Sequence, residues 1–250
     1  MNIKRLLLIG IISFFLFLFI FAPAQLMSIA LSKLVNSQLG LAAAQGSFWK
    51  GSAHVLIDNA DNHANSLDIG TISWNTQPLQ LLIGKFIVSL TWNQGMPFWV
   101  TIDKSRLNIE HADLVLPAKI ISVLVPSLKV AQLGGHLLVH CDNFSLTRKD
   151  ILGQMDIDWH QASSPLSIIN PVGDYHAKLN GKGNGLSIQL TTLNDGPLMM
   201  QGNGSWAEKE DLHFEGTAEA KPAAKLEMQA LLRVMGNESK VGSGLFQLRF

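Results

Sequence analysis

The chain has 250 residues, with 19 basic and 19 acidic side chains, a formal net charge of zero and a single cysteine. That balance excludes the strongly basic face that neutralising nucleic-acid phosphates requires, and the lone Cys141 excludes an internal disulfide. Only 15% of the residues are charged while glycines number 21, a composition suited to many turns between short strands.

The chain opens on an uncharged run from Leu6 to Ser32, whose densest part, Leu6 to Ala22, is broken only by Gly10 and Ser13. As a helix the run reaches about 40 Å, and a bilayer core needs roughly 20 apolar residues. Leu6, Leu7, Leu8, Ile9, Phe14, Phe15, Leu16, Phe17, Phe19 and Phe21 are its anchor candidates. Lys4 and Arg5 precede the run and the next cation is Lys33, so the positive-inside rule keeps residues 1–5 in the cytoplasm and exports the rest. A cleaved signal peptide competes with this reading, because Ala22-Pro23-Ala24 has the small-x-small form of a cleavage site. The apolar stretch is longer than the roughly 7–15 residues of an h-region, which favours an uncleaved signal anchor over residues 6–25.

From Leu26 to Leu39 apolar residues recur at 27, 31, 34 and 35, the spacing of an amphipathic helix over residues 26–40 with Gly40 as its C-cap. The period then changes to two. Strands are predicted over Ser52–Asp58, Leu67–Trp74, Lys85–Asn93, Phe98–Asp103 and Arg106–Ala112, separated by Asn- and Gly-rich turns. A helix over Ala118–Val125 interrupts them, with Pro117 in its first turn and Pro126 stopping it. Gly134-Gly135 reopens the pattern with strands at His136–Asp142, Gly153–His160, Tyr175–Leu179, Leu186–Leu193, Pro197–Trp206 and Leu212–Ala218. A second helix is expected from Pro222 through Leu226, Ala230, Leu231 and Val234 with Gly236 as C-cap, and a half-buried strand closes the pattern at Phe246–Phe250.

Two halves of this pattern match in order. Gly51 leads to Ile72-Ser73-Trp74, Pro78-Leu79 and Gly84-Lys85-Phe86; Gly135 leads to Ile157-Asp158-Trp159, Pro165-Leu166 and Gly173-Asp174-Tyr175. The tryptophans stand 85 positions apart, the signature of a degenerate duplication. Gly51, Trp74, Pro78, Gly135, Trp159 and Pro165 define it. The expected fold is therefore mainly β: an N-terminal transmembrane helix, then a curved antiparallel sheet over residues 41–250 built from two β-rich repeats, about 46–130 and 131–219. A C-terminal helix and strand follow at 220–250, and the two short helices cover the sheet.

No constellation for catalysis emerges. On a strand, His136 and His140 share a face about 13 Å apart, too far to ligate one metal at bonds of about 2 Å. Gly181-Lys182-Gly183-Asn184-Gly185 lacks the first glycine and the Ser or Thr of a phosphate-binding loop and reads as a hairpin tip. No Gly-x-Ser-x-Gly elbow occurs. Asp156 and Asp158 share a strand face with nothing to raise one pKa, and Cys141 reads as a small buried apolar residue. No catalytic residue, cofactor or metal is assigned. The six tryptophans read as packing residues of a half-buried sheet, some of them available to line a groove or an interface.

The anchor, Gly46-Ser47-Phe48-Trp49-Lys50-Gly51, Ser164-Pro165-Leu166, Pro171-Val172-Gly173-Asp174-Tyr175, Gly196-Pro197-Leu198, Gly202-Asn203-Gly204-Ser205-Trp206 and Leu226 to Gly236 together resemble the protein N family of the bacterial type II secretion system. The resemblance rests on the ordered set, since no one of these motifs is specific. It implies a Gram-negative inner-membrane protein with one N-terminal pass and a periplasmic domain, distantly similar to AsmA-type proteins whose repeated β-units form a groove. It further implies an accessory, non-catalytic part in exporting folded proteins, with other secretion subunits as partners. The groove analogy leaves lipid carriage as the alternative. An outer-membrane barrel is disfavoured by the short strands and the two helices.

Overall fold

The computed structural model of the protein describes residues 10, 13–14, 17, 21–27, 29, 39–57, 67–207, 213–239 and 244–249. Among these residues a single 14-stranded antiparallel sheet is formed, in which strands adjacent in sequence are almost always neighbours in space. The first half comprises β1 (Leu39–Gly46), β2 (Lys50–Ile57), β3 (Leu67–Thr76), β4 (Phe86–Trp92), β5 (Pro97–Ile102) and β6 (Arg106–Pro117). The second comprises β7 (Gly134–Thr147), β8 (Ile151–Ser163), β9 (Gly173–Lys182), β10 (Gly185–Thr192), β11 (Leu198–Ala207) and β12 (His213–Ala220). At the far end β14 (Leu245–Arg249) pairs with β12, and the three-residue β13 (Gly236–Glu238) lies outermost. The ladder between β6 and β7, from Arg106↔Thr147 to Pro117↔His136, joins the two halves into one sheet.

Several expectations need correction. Leu39 and Gly40, read as the end of a helix and its cap, open β1 and pair with Ile57 and Leu56. The Leu-Gly-Leu-Ala-Ala-Ala sequence is a good helix former on local preference, and cross-strand pairing with β2 overrides it. Gly236 has an extended backbone, φ −177°, and starts β13 instead of forming a left-handed cap. The helix expected over Ala118–Val125 is a 3-10 turn, Ala118–Ile120, followed by the short α1 (Ile121–Leu124). Pro126 starts a further 3-10 turn to Ala131. No helix among the described residues is long and apolar enough to cross a membrane. Of the anchor candidates, Phe14, Phe17 and Phe21 are described and exposed. Lys4, Arg5, Leu6, Leu7, Leu8, Ile9, Phe15, Leu16 and Phe19 lie outside the described residues.

One face of the sheet carries the core. On its C-terminal half lies α2 (Lys225–Met235), whose Met228, Leu231, Leu232 and Met235 fall on one helical stripe and are all buried. They pack with Tyr175, Leu198, Ala218, Phe246 and Leu248, together with Leu128 and Leu133 from the β6–β7 connection. On the N-terminal half Ala24 is buried against Ala53, Trp74 and Val88, with Met27 beside it. Here residues 22–24 are stitched to the β1–β2 turn: Phe48 N–H donates to the Ala22 carbonyl at 2.8 Å, and Pro23 bridges to Ser47.

Between these covers the sheet is locally split. β4 ends at Trp92 and β5 starts only at Pro97, so neither continues alongside the first residues of β3 or the last of β6. Trp92 spans the gap. Its indole N–H donates to the Val115 carbonyl at 2.9 Å, and its ring lies on Gly70, where a Cβ would come within 2.7 Å of it. Ile69 and Trp92 are buried there, packed with Leu114 and Leu116.

Candidate interaction face

The residues that define the sequence repeat lie in two hairpins, β2–β3 and β7–β8, and their pairing differs between them. Gly51 on β2 faces Trp74 on β3, and a Cβ there would meet the indole at 2.6 Å. The Trp74 N–H donates to the Ser47 and Phe48 carbonyls, both at 3.1 Å. On β8, Trp159 pairs with Leu137, and its N–H donates to the Gly134 carbonyl at 3.0 Å, next to Gly135 with φ +101°. Pro78 and Pro165 follow in the connections that lead to β4 and β9. The Pro165 loop holds itself together: Asn170 Nδ2 donates to the Ser164 and Ser167 carbonyls, and the buried Ser164 hydroxyl donates to the Ala131 carbonyl. The two hairpins are not brought together, since Trp74 packs under the N-terminal cover and Trp159 against the C-terminal core. Trp74 and Trp159 serve packing, whereas Pro78 is half-buried and Pro165 exposed in their connections. Cys141 serves packing as well, fully buried beside Phe98 and Ala112, where burial pushes its thiol pKa up.

The surface-forming chemistry lies on the opposite, open face of β6–β9. Asp113 pairs across the ladder with His140, and His140 with Asp156; Val115 pairs with Leu138, Leu138 with Asp158, and Asp158 with His176. His140 Nδ1–H donates to Asp113 at 2.6 Å and His176 Nδ1–H to Asp158 at 2.6 Å. His160 stands 3.7 Å from Asp174, and His136 pairs with His160 in the next row. At the centre of these rows Val115 and Leu138 are 55% and 41% exposed. A directly paired apolar couple left open to water and ringed by imidazoles and carboxylates has the layout of a contact surface, an apolar centre with a polar rim. Next to it, a cavity of about 410 Å³ opens over the split in the sheet, lined by Asp68, Trp92, Val115, Leu116, Pro117 and His136 among others.

Sequence reading missed this face for a specific reason. It ended the β6 strand at Ala112, whereas the strand passes through His111, where φ is +54°, and continues to Pro117 in unbroken register with β7. Without that extension Asp113 and Val115 are loop residues and their partners on β7 are invisible. The alternation of Asp113, Val115 and Pro117 on one side with Leu114 and Leu116 on the other was the available signal.

The hydrogen bond to Asp113 raises the His140 pKa above 6.5. Because the folded value lies above the unfolded one, whatever this pair adds to stability is complete below the ordinary imidazole range and is lost as pH climbs through the raised value. At Asp68 the Gly70 N–H, and then His54, lower the carboxyl pKa, so its contribution holds above the ordinary carboxylate range and is lost as pH falls through the lowered value. An NMR titration of the histidine Cε1 protons is expected to give His140 a midpoint above 6.5, and Asp113→Asn to move it downward. An unchanged midpoint in that variant would rule out Asp113 as the cause.

The family model for type II secretion system protein N matches residues 37–249. The chain belongs to that family. The match begins just before β1 and ends on the last residue of β14, so the family likeness resides in the sheet and its C-terminal cover. As a protein N family member the chain is an envelope component of type II secretion, with other secretion subunits as its partners. Comparison with curated proteins and with solved structures gives no match.

Proposed function

We propose that this protein N family member is a non-enzymatic accessory subunit, held in the inner membrane by the signal anchor over residues 6–25 with its sheet in the periplasm. It assists folded proteins across the outer membrane by protein contact through the open face of β6–β9. The observation that carries this reading is the family match over the entire sheet. Lys4 and Arg5 ahead of the apolar run support the orientation. The matching roles of Trp74 and Trp159 support a duplicated unit within the periplasmic domain. The Val115–Leu138 couple supports contact as the mode of action. An AsmA-like lipid carrier is the rival reading, and it needs a continuous apolar channel; α2 and the Leu128–Leu133 segment already occupy the core-bearing face in the C-terminal half.

Purifying the tagged chain from membranes in mild detergent, with mass spectrometry of both polypeptides and lipids, separates the two. The contact reading expects stoichiometric secretion subunits with the wild type and their loss with Leu138→Glu, while the thermal unfolding of that variant stays close to wild type. Stoichiometric phospholipid without protein partners would overturn it in favour of the carrier.

A further inference from the structure

An antiparallel meander sends its turns alternately to two ends of the sheet. The β1–β2, β3–β4, β5–β6, β7–β8, β9–β10 and β11–β12 connections therefore share one end, and residues 22–24 are stitched to the sheet at that same end. The β3–β4 connection there is a 3-10 knuckle, Pro78–Ile83, in which no side chain is buried. Leu79, Leu82 and Ile83 are 77%, 84% and 68% exposed. The knuckle is nevertheless well built: Gln80 N–H donates to the Gln77 carbonyl, Gly84 takes the left-handed conformation with φ +77°, and its N–H closes on the Leu81 carbonyl at 3.0 Å. Three large apolar side chains held out by an ordered turn form a patch of the kind that marks an interface.

The surroundings name the partner. Lys85 follows the knuckle directly, and the arm of Lys104 lies over Gly84, 3.9 Å from where a Cβ would stand. Arg106, Arg148, Lys149 and Lys182 continue the line at the neighbouring turns, with Lys50 on the other side of the knuckle. The carboxylates among the turns beside the knuckle are Asp103 and Asp150, and Asp103 is engaged by the Ser105 and Arg106 N–H groups. The sequence of the β11–β12 connection, five hairpins away from the β1–β2 turn, holds Glu208, Glu210 and Asp211 and lies outside this basic row. Phe48 lies 6.3 Å from Phe86 and edge-on to Trp49 beside the point where residues 22–24 join. Apolar side chains that project past a row of cations, with aromatic residues alongside, are complementary to a bilayer surface carrying anionic headgroups.

We infer that this end of the sheet is a second membrane contact, in which the Pro78–Ile83 knuckle dips into an anionic lipid surface and its basic rim meets the headgroups. The inference rests on the membrane-anchored reading above, because an anchor over residues 6–25 would leave the bilayer beside the knuckle. With it, the domain stands upright on the membrane and the open face of β6–β9 points sideways toward partners.

The test uses the full chain in vesicles of phosphatidylethanolamine and phosphatidylglycerol. An environment-sensitive NBD label is placed in turn by Leu82→Cys in the knuckle, Phe14→Cys in the apolar run, and Met96→Cys at the opposite end of the sheet, where Met96 is 72% exposed; Cys141 is buried and does not compete for label. The expected result is a blue-shifted label at 82 that is quenched several-fold by doxyl-labelled lipid, with the label at 96 in water. Glutamate at both Lys85 and Lys104 should reduce quenching at 82. A label at 14 in lipid with the label at 82 in water overturns the knuckle contact and leaves the anchor standing; both labels in water overturn both. A label at 82 that is blue-shifted but not quenched by doxyl lipid means that a second copy of the chain covers the knuckle, and also overturns the proposal.

Discussion

Leu231→Ala lowers the stability of the protein by about 2–5 kcal/mol, read as a fall in the urea midpoint of tryptophan fluorescence at unchanged slope. Leu231 is 1% exposed at the centre of the buried stripe of α2, where alanine leaves a cavity that sheet and helix cannot both close. The same change at Leu226, one turn and a half earlier on the same helix, alters the stability by no more than about 0.5 kcal/mol, because that side chain is 85% exposed. The pair isolates packing from helix preference, since both substitutions put alanine in place of leucine in one helix. Leu231→Asp goes further: a carboxylate without a partner in that core forces α2 off the sheet, baring Leu198, Phe246 and Leu248. Equal effects at positions 226 and 231 would mean that α2 does not cover the sheet as described.

How far the sequence discloses this architecture depends on which interaction decides each segment. The β9–β10 hairpin was legible because Gly181 to Gly185 compress the signal into five residues, and the turn falls at Gly183, with φ +71°, and Asn184. α2 was legible in position because Pro222 marks the start, but its facing was not. Of the stripe read through Leu226, Ala230, Leu231 and Val234, Leu226 and Ala230 are exposed, and the buried side is Met228, Leu231, Leu232 and Met235. β1 was not. Its Leu, Gly and Ala residues carry no strand preference, and only the ladder to Val55 and Leu56 makes them extended. Likewise the ends of β7 and β8, which outrun the predicted strands by several residues, are extended because long neighbours template them.

The candidate face shows the same limit more sharply. His140, Asp113, Asp158 and His176 come from four successive strands, and their pairing depends on register across three ladders, which no local pattern carries. The rows depend on a register that shifts on the β7–β8 ladder between His140 and Phe144, while the β6–β7 ladder keeps its register through His111. Sequence composition named the residue types; only the ladders bring them side by side. The knuckle is different again. Pro78-Leu79-Gln80-Leu81-Leu82-Ile83 reads as a hydrophobic stretch that any pattern argument would send inward, yet every side chain faces out because Pro78 and the left-handed Gly84 confine it to a tight connection between β3 and β4.

Trp92→Ala costs about 3–5 kcal/mol and opens the split between β3 and β6, whereas Trp92→Phe costs about 1–3 kcal/mol. In the phenylalanine variant the ring still fills the space over Ile69, but the Val115 carbonyl loses its donor at a place where β6 has no neighbouring strand to supply another. In the alanine variant both the donor and the filling are gone, and water enters from the adjoining cavity. Gly70 tests the same joint from the other side. Its φ of +146° and the 2.7 Å distance between a built Cβ and the Trp92 ring make Gly70→Ala destabilising for two reasons, backbone strain and collision. The Asn93 side chain stands equally close, with its Oδ1 2.7 Å from that Cβ, so only the indole's share of the collision depends on Trp92. In a double-mutant cycle measured by urea denaturation, Gly70→Ala is therefore expected to cost less in the Trp92→Ala background than in the wild type, by at least about 0.5 kcal/mol. Strict additivity would mean that the indole does not rest on Gly70, and that the two unpaired strand edges are held together by the flanking ladders alone.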